Sequence, residues 1–380
     1  MNREYLKKGW NEARIWGCFF FCMLTIFIYD YPVKLYAESV LQPTQIETGR
    51  EDIVSSSSKY EFATDGNMLI PLEINGDGAV VMEMQVEKSG FINMEIHNKA
   101  DGSDLPTYWT CQCTSDLRNT NTTRKFFEKG TYYIRFPENQ YSIRLIYYSN
   151  ASKRIKNDEY VAGYADYHHP VYYEFKSTEN GYVTIQNNSI IKTDFSADVT
   201  MCDSKGDEIT DTMRYHELDE TIVYAVKKGK TYKFKVTSND VGGTQFYQFH
   251  LKFTERKEAS GDKRKKAVEV KYNKDASGLV FAEDSLKTAD WYKITNSKKR
   301  KVKLSYSGSI TSGSMVFDIY DSKGKKFASY SVVSRVGEKK QCLLVNTKDD
   351  LKLDKGTYYI RVTKSRKTAS GIYTIRMSNY

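Results

Sequence analysis

The sequence lacks the motifs that mark the common classes of enzyme. It contains no HExxH, no GxSxG, no phosphate-binding loop and no GxGxxG between a strand and a helix. Histidine, the side chain most suited to proton transfer near neutral pH, occurs only five times in 380 residues. These absences argue against zinc peptidases, α/β-hydrolases and nucleotide-dependent enzymes. We therefore expect a protein that is not an enzyme.

Cysteine is scarce as well. Four of the six cysteines lie beyond the N-terminal segment, at positions 111, 113, 202 and 342. The Cys111-Gln-Cys113 pair has no second ligand pair nearby, so zinc is poorly supported. Cys202 and Cys342 stand alone in their parts of the chain. The sequence predicts small cysteine side chains packed on strands, in a fold that depends on its core rather than on disulfides.

No apolar run is long enough for an ordinary transmembrane helix, which needs about 20 residues. The apolar run at residues 18–29 has twelve residues and follows four basic ones. Together with Leu35-Tyr36-Ala37, this pattern predicts a signal peptide or signal anchor over residues 1–37, and hence a secreted or cell-surface protein. Leu35 is a poor match to a small cleavage-site residue, so an uncleaved anchor is the alternative.

What the chain does contain is an internal repeat. The heptapeptide Lys-Gly-Thr-Tyr-Tyr-Ile-Arg occurs at residues 129–135 and again at 355–361, and a looser copy spans 228–236. Seven identical residues in one chain indicate duplication. In each copy, apolar residues alternate with residues that we expect to face solvent. This alternation predicts a half-buried antiparallel strand after a glycine turn. The predicted inward positions are Tyr132/Ile134/Phe136, Tyr232/Phe234/Val236 and Tyr358/Ile360/Val362.

Other features repeat in the same order. Asp-Ser-Lys-Gly occurs at 203–206 and 321–324, and the closing strands align Tyr141 with Tyr247 and Tyr373. Abundant tyrosine (30) and phenylalanine (18) suits sheets with one buried face. We predict an all-β protein of three tandem antiparallel β-sandwich modules, over residues 59–149, 150–253 and 267–380. Residues 38–58 would be a linker, and residues 254–266 a charged linker.

The third module resembles the bacterial pre-peptidase C-terminal domain. The resemblance rests on residues 290–294, 317–324, 355–362 and 370–375, and covers roughly residues 275–380. It implies a jelly-roll-like sandwich on a secreted bacterial protein, without catalysis of its own. Some related modules bind calcium, collagen or polysaccharide. No calcium-ligand set matches in this chain, so we expect no cofactor, with calcium possible but not assignable. The chain also departs from the usual arrangement because no peptidase domain precedes the modules.

Charge is unevenly distributed along the chain. Residues 254–380 hold 29 basic and 14 acidic side chains, a net charge of +15, whereas residues 38–253 have a net charge of −8. Such asymmetry favours a polyanionic partner. If Val302 and Leu304 face inward, then Lys299, Lys301 and Lys303 form an outward ladder about 6.6 Å apart. Further basic residues fall in predicted turns at 323–326 and 364–367.

The candidate ligand-binding residues are Lys299, Lys301, Lys303, Tyr359 and Arg361. An alternative role for the lysines is to prevent pairing of an exposed sheet edge. The outward tyrosines, Tyr133 and Tyr359, could stack on sugar rings or on protein ligands, or they could complete strand packing.

Taken together, the sequence predicts an exported, non-catalytic bacterial protein for binding or adhesion. Its basic third module would contact an anionic cell-wall polymer, a polysaccharide or an extracellular protein. Nucleic acid is not expected, and membrane contact would occur only through an uncleaved N-terminal segment. The alternative is a secreted hydrolase or its accessory subunit, for which Glu217 and Asp219 are candidate carboxylates.

Overall fold

The computed structural model describes residues 38–40, 44–47, 60–62, 66–75, 80–97, 107–108, 112–114, 126–136, 142–187, 197–214, 221–238, 245–257, 260–332, 339–344 and 352–379. Over these residues the protein is all-β, as predicted from the sequence. The strands form six sheets, and the sheets come in three pairs, each built from one consecutive part of the chain. The signal peptide or signal anchor predicted at residues 1–37 lies outside the described residues.

The first pair of sheets, the first sandwich, uses strands from residues 38–149. One sheet has the order β1-β4-β11-β6-β7, with β2 on β4 and β9 on β6, and the other has the order β3-β5-β10-β8. The strands are β1 (Glu38–Val40), β2 (Thr44–Glu47), β3 (Tyr60–Phe62), β4 (Gly66–Asn75), β5 (Val80–Val86), β6 (Gly90–His97), β7 (Thr107–Tyr108), β8 (Gln112–Thr114), β9 (Phe126–Phe127), β10 (Gly130–Phe136) and β11 (Ser142–Ser149).

The second sandwich pairs a five-stranded sheet, β12-β14-β19-β16-β17, with a four-stranded sheet, β13-β20-β15-β18. Its strands are β12 (Lys153–Arg154), β13 (Glu159–Ala165), β14 (Val171–Lys176), β15 (Gly181–Asn187), β16 (Ala197–Cys202), β17 (Met213–Arg214), β18 (Thr221–Val226), β19 (Thr231–Ser238) and β20 (Gln245–Glu255).

The third sandwich has the same plan, with sheets β21-β23-β28-β25-β26 and β22-β29-β24-β27. A 3-10 turn, Arg264–Lys266, precedes it. The strands are β21 (Val268–Glu269), β22 (Asp275–Val280), β23 (Asp290–Asn296), β24 (Val302–Ile310), β25 (Met315–Tyr320), β26 (Lys326–Val332), β27 (Lys339–Leu344), β28 (Gly356–Lys364) and β29 (Gly371–Asn379).

These strand orders are those of a jelly roll. If β22 to β29 are lettered B to I, the two sheets read B-I-D-G and C-H-E-F, and β13 to β20 give the same orders. An additional first strand runs parallel to the C strand in the second and third sandwiches. The first sandwich has the same B-I-D-G order in β4-β11-β6-β9. The predicted jelly-roll-like fold is therefore confirmed.

The repeated heptapeptide forms equivalent strands, as the alternation predicted. Tyr132, Tyr232 and Ile360 are buried, and Tyr358 is half-buried. The Tyr132 hydroxyl donates to the Glu128 carbonyl at 2.9 Å, and the Tyr358 hydroxyl makes the same contact four residues back, at 3.1 Å. The repeated Asp-Ser-Lys-Gly is a tight turn in both places, since its glycines have φ of 104° and 85°. Duplicated sequence thus gives duplicated hydrogen bonding.

Two segments predicted as linkers are partly built into sheets. Within residues 38–58, strands β1 and β2 pair in parallel with β4, so these residues extend the first sandwich. Within residues 254–266, β20 continues to Glu255, and Gly261 exchanges two backbone hydrogen bonds with Trp291. The linker prediction is wrong for these described residues because their backbone groups complete neighbouring strands. The exact module limits remain a prediction.

The sandwiches share buried side chains across their junctions. Phe91 of the first sandwich and Ala282 of the third both belong to the apolar core of the second. Ala225, Leu279 and Phe281 form a small core of their own between the second and third sandwiches. These contacts hold the second and third sandwiches against each other. Among the residues that the structure describes, no helix is long and apolar enough to cross a membrane.

Candidate functional site

The five predicted ligand-binding residues lie on two different surfaces. Tyr359 and Arg361 are on β28, in the five-stranded sheet of the third sandwich, whereas Lys303 is on β24, in the opposite sheet. Lys299 and Lys301 lie in the connection from β23 to β24. The structure therefore does not bring the five residues together into one surface. A site must be sought on one sheet or the other.

The lysine ladder has the predicted inward partners. Val302, Leu304 and Tyr306 are buried, Lys299 and Lys301 are exposed, and Lys303 is half-buried. However, β24 lies between β29 and β27. Lys303 is thus on an inner strand, and the alternative of an edge-protecting lysine does not apply to it. Lys299 lies 3.8 Å from the Asp354 carboxylate in an exposed ion pair.

The five-stranded sheet of the third sandwich, which contains β28, carries aromatic and cationic side chains on its outward side. On its strands, inward and outward side chains alternate. The side chains that point into the core are Tyr292 and Ile294 on β23, Ile360 and Val362 on β28, and Phe317 and Ile319 on β25. The residues between them face outward. We call this surface the cation–aromatic face, and it consists of Trp291, Lys293, Tyr320, Lys326, Tyr359 and Arg361.

Strand register sets the neighbours on this face. Lys293, Tyr359 and Tyr320 occupy one row across β23, β28 and β25, and Trp291 and Arg361 occupy the next row. The rings of Trp291 and Tyr320 lie 5.4 Å apart between centroids, across β28. Aromatic rings therefore extend over three strands.

The charged segment before the third sandwich adds to this face. Arg264, in the 3-10 turn, places its Cζ 5.5 Å from the centre of the Tyr359 ring, within range of a cation–π contact. The same guanidinium lies against Gly324, whose missing side chain leaves room for it. Three basic or aromatic features of the sequence thus meet: the 263–266 run, the 321–326 turn and the repeated heptapeptide.

A buried carboxylate positions two of the cations. Asp318 is only 6% exposed, and its Oδ1 accepts a hydrogen bond of 2.7 Å from the Ser329 hydroxyl. Arg361 lies 3.6 Å from Asp318 Oδ2, and the Lys326 ammonium lies 3.4 Å from Oδ1. Both cationic side chains keep part of their surface in solvent. Arg264 and Lys293 bring the cations to four, and Glu269 on β21, beside Lys293, brings the carboxylates to two, so the face keeps a net positive charge.

The equivalent surface of the second sandwich is different. Register places Tyr172 and Glu174 where the third sandwich has Trp291 and Lys293, and the central strand carries Lys233 and Lys235. Lys235 donates to the Glu208 carboxylate at 2.9 Å, and this hydrogen bond raises the pKa of Lys235. One aromatic ring and balanced charges remain. The cation–aromatic arrangement thus distinguishes the third sandwich from the second.

The predicted basic turn at 364–367 is not part of this face. Lys364 is buried, and its ammonium donates to the carbonyls of Phe281 and Ala282 at 2.6 and 3.1 Å. Two further carbonyls, of residues 367 and 369, lie within 3.3 Å of the same nitrogen. Arg366 lies 3.5 Å from the Asp211 carboxylate of the second sandwich. These two cations therefore serve the junction between sandwiches.

Other side chains with reactive groups make structural contacts or lie outside the described residues. His169 stacks on Phe126 at 3.6 Å and contacts the Asp166 carboxylate at 2.8 Å, at the junction of the first two sandwiches. Cys202 is fully buried, and burial, with the Glu208 carboxylate, raises its pKa to about 11. Glu217 and Asp219 lie outside the described residues, as does Cys111. Over the described ranges, no group of three or more metal-ligating side chains is found.

Comparisons with known proteins do not place the chain in a family. No protein-family model matches the chain, and a search of curated proteins finds no match. Tripeptidyl peptidase 2 matches 76% of this chain and 29% of its own length, at 8% identity and a TM-score of 0.22. A triple-jelly-roll turret protein of an archaeal virus matches 83% of this chain and 82% of its own, at 12% identity and a TM-score of 0.19. The plant receptor-like kinase FER matches 58% of this chain and 85% of its own, at 10% identity and a TM-score of 0.20. TM-scores this low carry no inference about this chain.

Proposed function

We propose that this protein is an exported, non-catalytic binding protein that is either held at the bacterial surface or secreted. Its third sandwich docks on an anionic polysaccharide through the cation–aromatic face. The observation that carries the proposal is the outward cluster of Trp291, Tyr359 and Arg361, flanked by Arg264 and Lys326. The net charge of +15 over residues 254–380 supports it, because long-range attraction concentrates a polyanion near this sandwich.

The mixture of rings and cations selects the class of ligand. Flat aromatic side chains such as Trp291 and Tyr359 pack against the apolar faces of sugar rings. Guanidinium groups such as those of Arg361 and Arg264 form paired hydrogen bonds with carboxylate or sulfate groups. Asp318 holds Arg361 near the rings, so both contacts are available within one strand spacing. A polymer of sugars that carry carboxylates or sulfates satisfies both.

The test compares two sets of three substitutions that each remove three positive charges, one set from around the cation–aromatic face and the other from the lysine ladder. Arg264→Gln, Lys293→Gln and Lys326→Gln are combined in one variant, and Lys299→Gln, Lys301→Gln and Lys303→Gln in the other. The full-length protein is used throughout, since Ala282 of the third sandwich packs into the core of the second. Binding to polygalacturonate, dextran sulfate and neutral dextran is measured by affinity electrophoresis and calorimetry.

We expect the first variant to bind both charged polymers at least tenfold more weakly and the second to bind them nearly as well as the unmodified protein. Neither variant should bind neutral dextran. Equal losses in both variants would show that overall charge is sufficient and would overturn the assignment to the cation–aromatic face. Tighter binding to single-stranded nucleic acid than to either polysaccharide would overturn the choice of ligand.

A further inference from the structure

The two junctions between neighbouring sandwiches are built from equivalent residues of strands D and G. At the first junction, Phe91 on β6 and Phe126 on β9 are register partners and pack into the core of the second sandwich. At the second junction, Tyr182 on β15 and Ala225 on β18 are register partners and share a small core with the third sandwich. Phe91 and Tyr182 each follow the glycine that begins their strand. The chain therefore uses one surface of the sandwich twice, and we call it the rear surface.

The surface that meets it is also the same at both junctions. Tyr164 lies against Phe91, with 6.4 Å between ring centroids, and Leu279 packs in one cluster with Ala225. Tyr164 and Leu279 each follow a glycine of strand B, and the register places that glycine opposite a buried tyrosine of strand I. The two pairs are Gly163 with Tyr247 and Gly278 with Tyr373. We call this second surface the front surface, so the front of each sandwich meets the rear of the one before it.

The rear surface of the third sandwich carries lysine where the others carry an aromatic residue. Register with the closing strand aligns Ile185 of β15 with Leu304 of β24. Counting back three residues from each puts Lys301 at the position of Tyr182. Lys301 is exposed, and five of the six residues at 298–303 are basic. The last sandwich of the row therefore has a cationic rear surface.

The front surface of the first sandwich has acidic residues at the corresponding positions. Counting along β4 from its register with β11 places Glu73 at the position of Tyr164 and Leu279. Glu47 is the last residue of β2, which pairs with this end of β4. Residues 38–149 as a whole hold 16 acidic and 10 basic side chains, a net charge of −6. The two ends of the row of sandwiches are thus complementary in charge.

We propose that the cationic rear surface of the third sandwich binds the acidic front surface of a second copy of this chain. Lys301 and Glu73 then take the positions that Tyr182 and Leu279 hold at the second junction. The contact joins unlike surfaces, so every added copy brings a new rear and a new front surface, and assembly continues beyond a dimer. It does not involve the cation–aromatic face and is independent of the proposed function.

Sedimentation velocity of the full-length protein, without polysaccharide, measures the assembly at about 20 and about 500 mM sodium chloride, because salt screens exposed ion pairs. At low salt we expect the average mass to rise with protein concentration beyond that of a dimer. At high salt it should fall toward that of the monomer. A carbodiimide, which joins ammonium and carboxylate groups in contact, locates the interface. In a mixture of unlabelled and nitrogen-15-labelled protein, cross-links between Lys301 and Glu73 should join two different copies.

Charge reversal tests the pairing of the two surfaces. Lys301→Glu and Glu73→Lys each bring like charges together, so each should weaken assembly at least tenfold. An equal mixture of the two variants should assemble again, because each surface of one variant is complementary to a surface of the other. Lys293→Glu makes the same change of charge on β23 and is the matched control, which should assemble like the unmodified protein. Association through the apolar run at residues 18–29 would be equal in all of these proteins.

Three results would overturn the proposal. A protein that stays monomeric at low salt would show that the lysines only end the row, as the polar outer faces of terminal repeats do. Failure of the mixture to recover assembly would contradict the pairing of Lys301 with Glu73. An equal loss in Lys293→Glu would show that overall charge is responsible. Circular dichroism checks that each variant folds, and Glu47→Lys on β2 provides the reversal at the front surface if Glu73→Lys does not fold.

Discussion

The backbone amide of Ala225, in the second sandwich, donates a hydrogen bond of 2.9 Å to the hydroxyl of Ser370, in the third. Ala225 lies on β18, the last strand of its sheet, so this amide faces away from the sheet. Ser370 is fully buried and covers that edge beside the apolar cluster of Leu279 and Phe281. The edge of one sandwich is thus completed by the next. We expect the second and third sandwiches to unfold together.

Removing the Ser370 hydroxyl should destabilise this junction. Ser370→Ala leaves the buried Ala225 amide without an acceptor, which costs about 1–3 kcal/mol in the free energy of unfolding. Urea unfolding followed by circular dichroism measures the change. Ser331→Ala, at an exposed position on β26, is the control and should be within about 0.5 kcal/mol of the unmodified protein. Equal stabilities of the two variants would contradict the assigned role of Ser370.

Lys364 should make stability depend on pH. Burial lowers its pKa from the usual 10.5 to about 8, and the carboxylates of Asp284 and Glu283 offset only part of that effect. Between pH 8 and 10.5 the unfolded chain keeps the proton that the folded protein has released. The free energy of unfolding therefore rises with pH through this window, relative to a variant without the amine.

The comparison is with Lys364→Met, measured by urea unfolding at pH 7, 8.5, 9.5 and 10.5. The variant should be less stable at every pH because the Phe281 and Ala282 carbonyls lose their donor. The difference between the two proteins should grow as the pH rises. Other tyrosines, lysines and cysteines titrate in the same range but cancel in the difference. A difference that shrinks with pH would contradict the lowered pKa.

A glycine beneath a buried tyrosine pair should not tolerate a side chain. The hydroxyls of Tyr292 and Tyr373 lie 2.8 Å apart in the core, and a Cβ at Gly278 would be within 3 Å of the Tyr373 ring and hydroxyl. Gly278→Ala should therefore lower the free energy of unfolding by about 2–4 kcal/mol, as overpacking does. Gly130→Ala is the control, because its Cβ would meet the Tyr132 ring at an ordinary 3.7 Å. Similar costs at both positions would contradict the close approach.

Salt should separate the two kinds of contact on the cation–aromatic face. Arg361→Gln removes a charge, so it should weaken binding of polygalacturonate and also flatten the dependence of affinity on salt. Trp291→Ala removes a ring and should weaken binding at every salt concentration without changing that dependence. Calorimetry from 20 to 500 mM sodium chloride checks both. An unchanged salt dependence in Arg361→Gln would contradict a direct ion pair with the polymer.

Much of the fold was predictable because each strand carries its own local signal. Alternation in the heptapeptide placed Tyr232 and Ile360 in the core, and aligning the closing strands paired Tyr247 with Tyr373. These two tyrosines make equivalent contacts, to Tyr173 and Tyr292 at 2.7 and 2.8 Å. A strand with one buried face requires only that apolar and polar residues alternate, and a short stretch of sequence is enough to show that alternation.

The candidate site was only half predictable. Tyr359 and Arg361 were identified as outward residues of the repeated strand, but their neighbours Trp291, Tyr320 and Arg264 were not. Alternation says which residues face out of a strand, yet not which strand lies beside it. In the predicted lysine ladder, Lys303 does lie between the buried residues Val302 and Leu304, but it is on β24, in the other sheet from Tyr359. Most successive strands of a jelly roll lie in different sheets, as β23 and β24 do here, so nearness in sequence does not give nearness on a surface.

By itself, the sequence determined the all-β class, the threefold repetition and the excess of positive charge in the last third of the chain. These are properties of composition and of short-range pattern, and they need no long-range contact. Only the tertiary structure decided which charges act together. It buried Lys364, joined Arg366 to the second sandwich and placed Arg264 over Tyr359. Strand order and the contacts between sandwiches set those positions, because side chains far apart in the chain meet only once the sheets have paired.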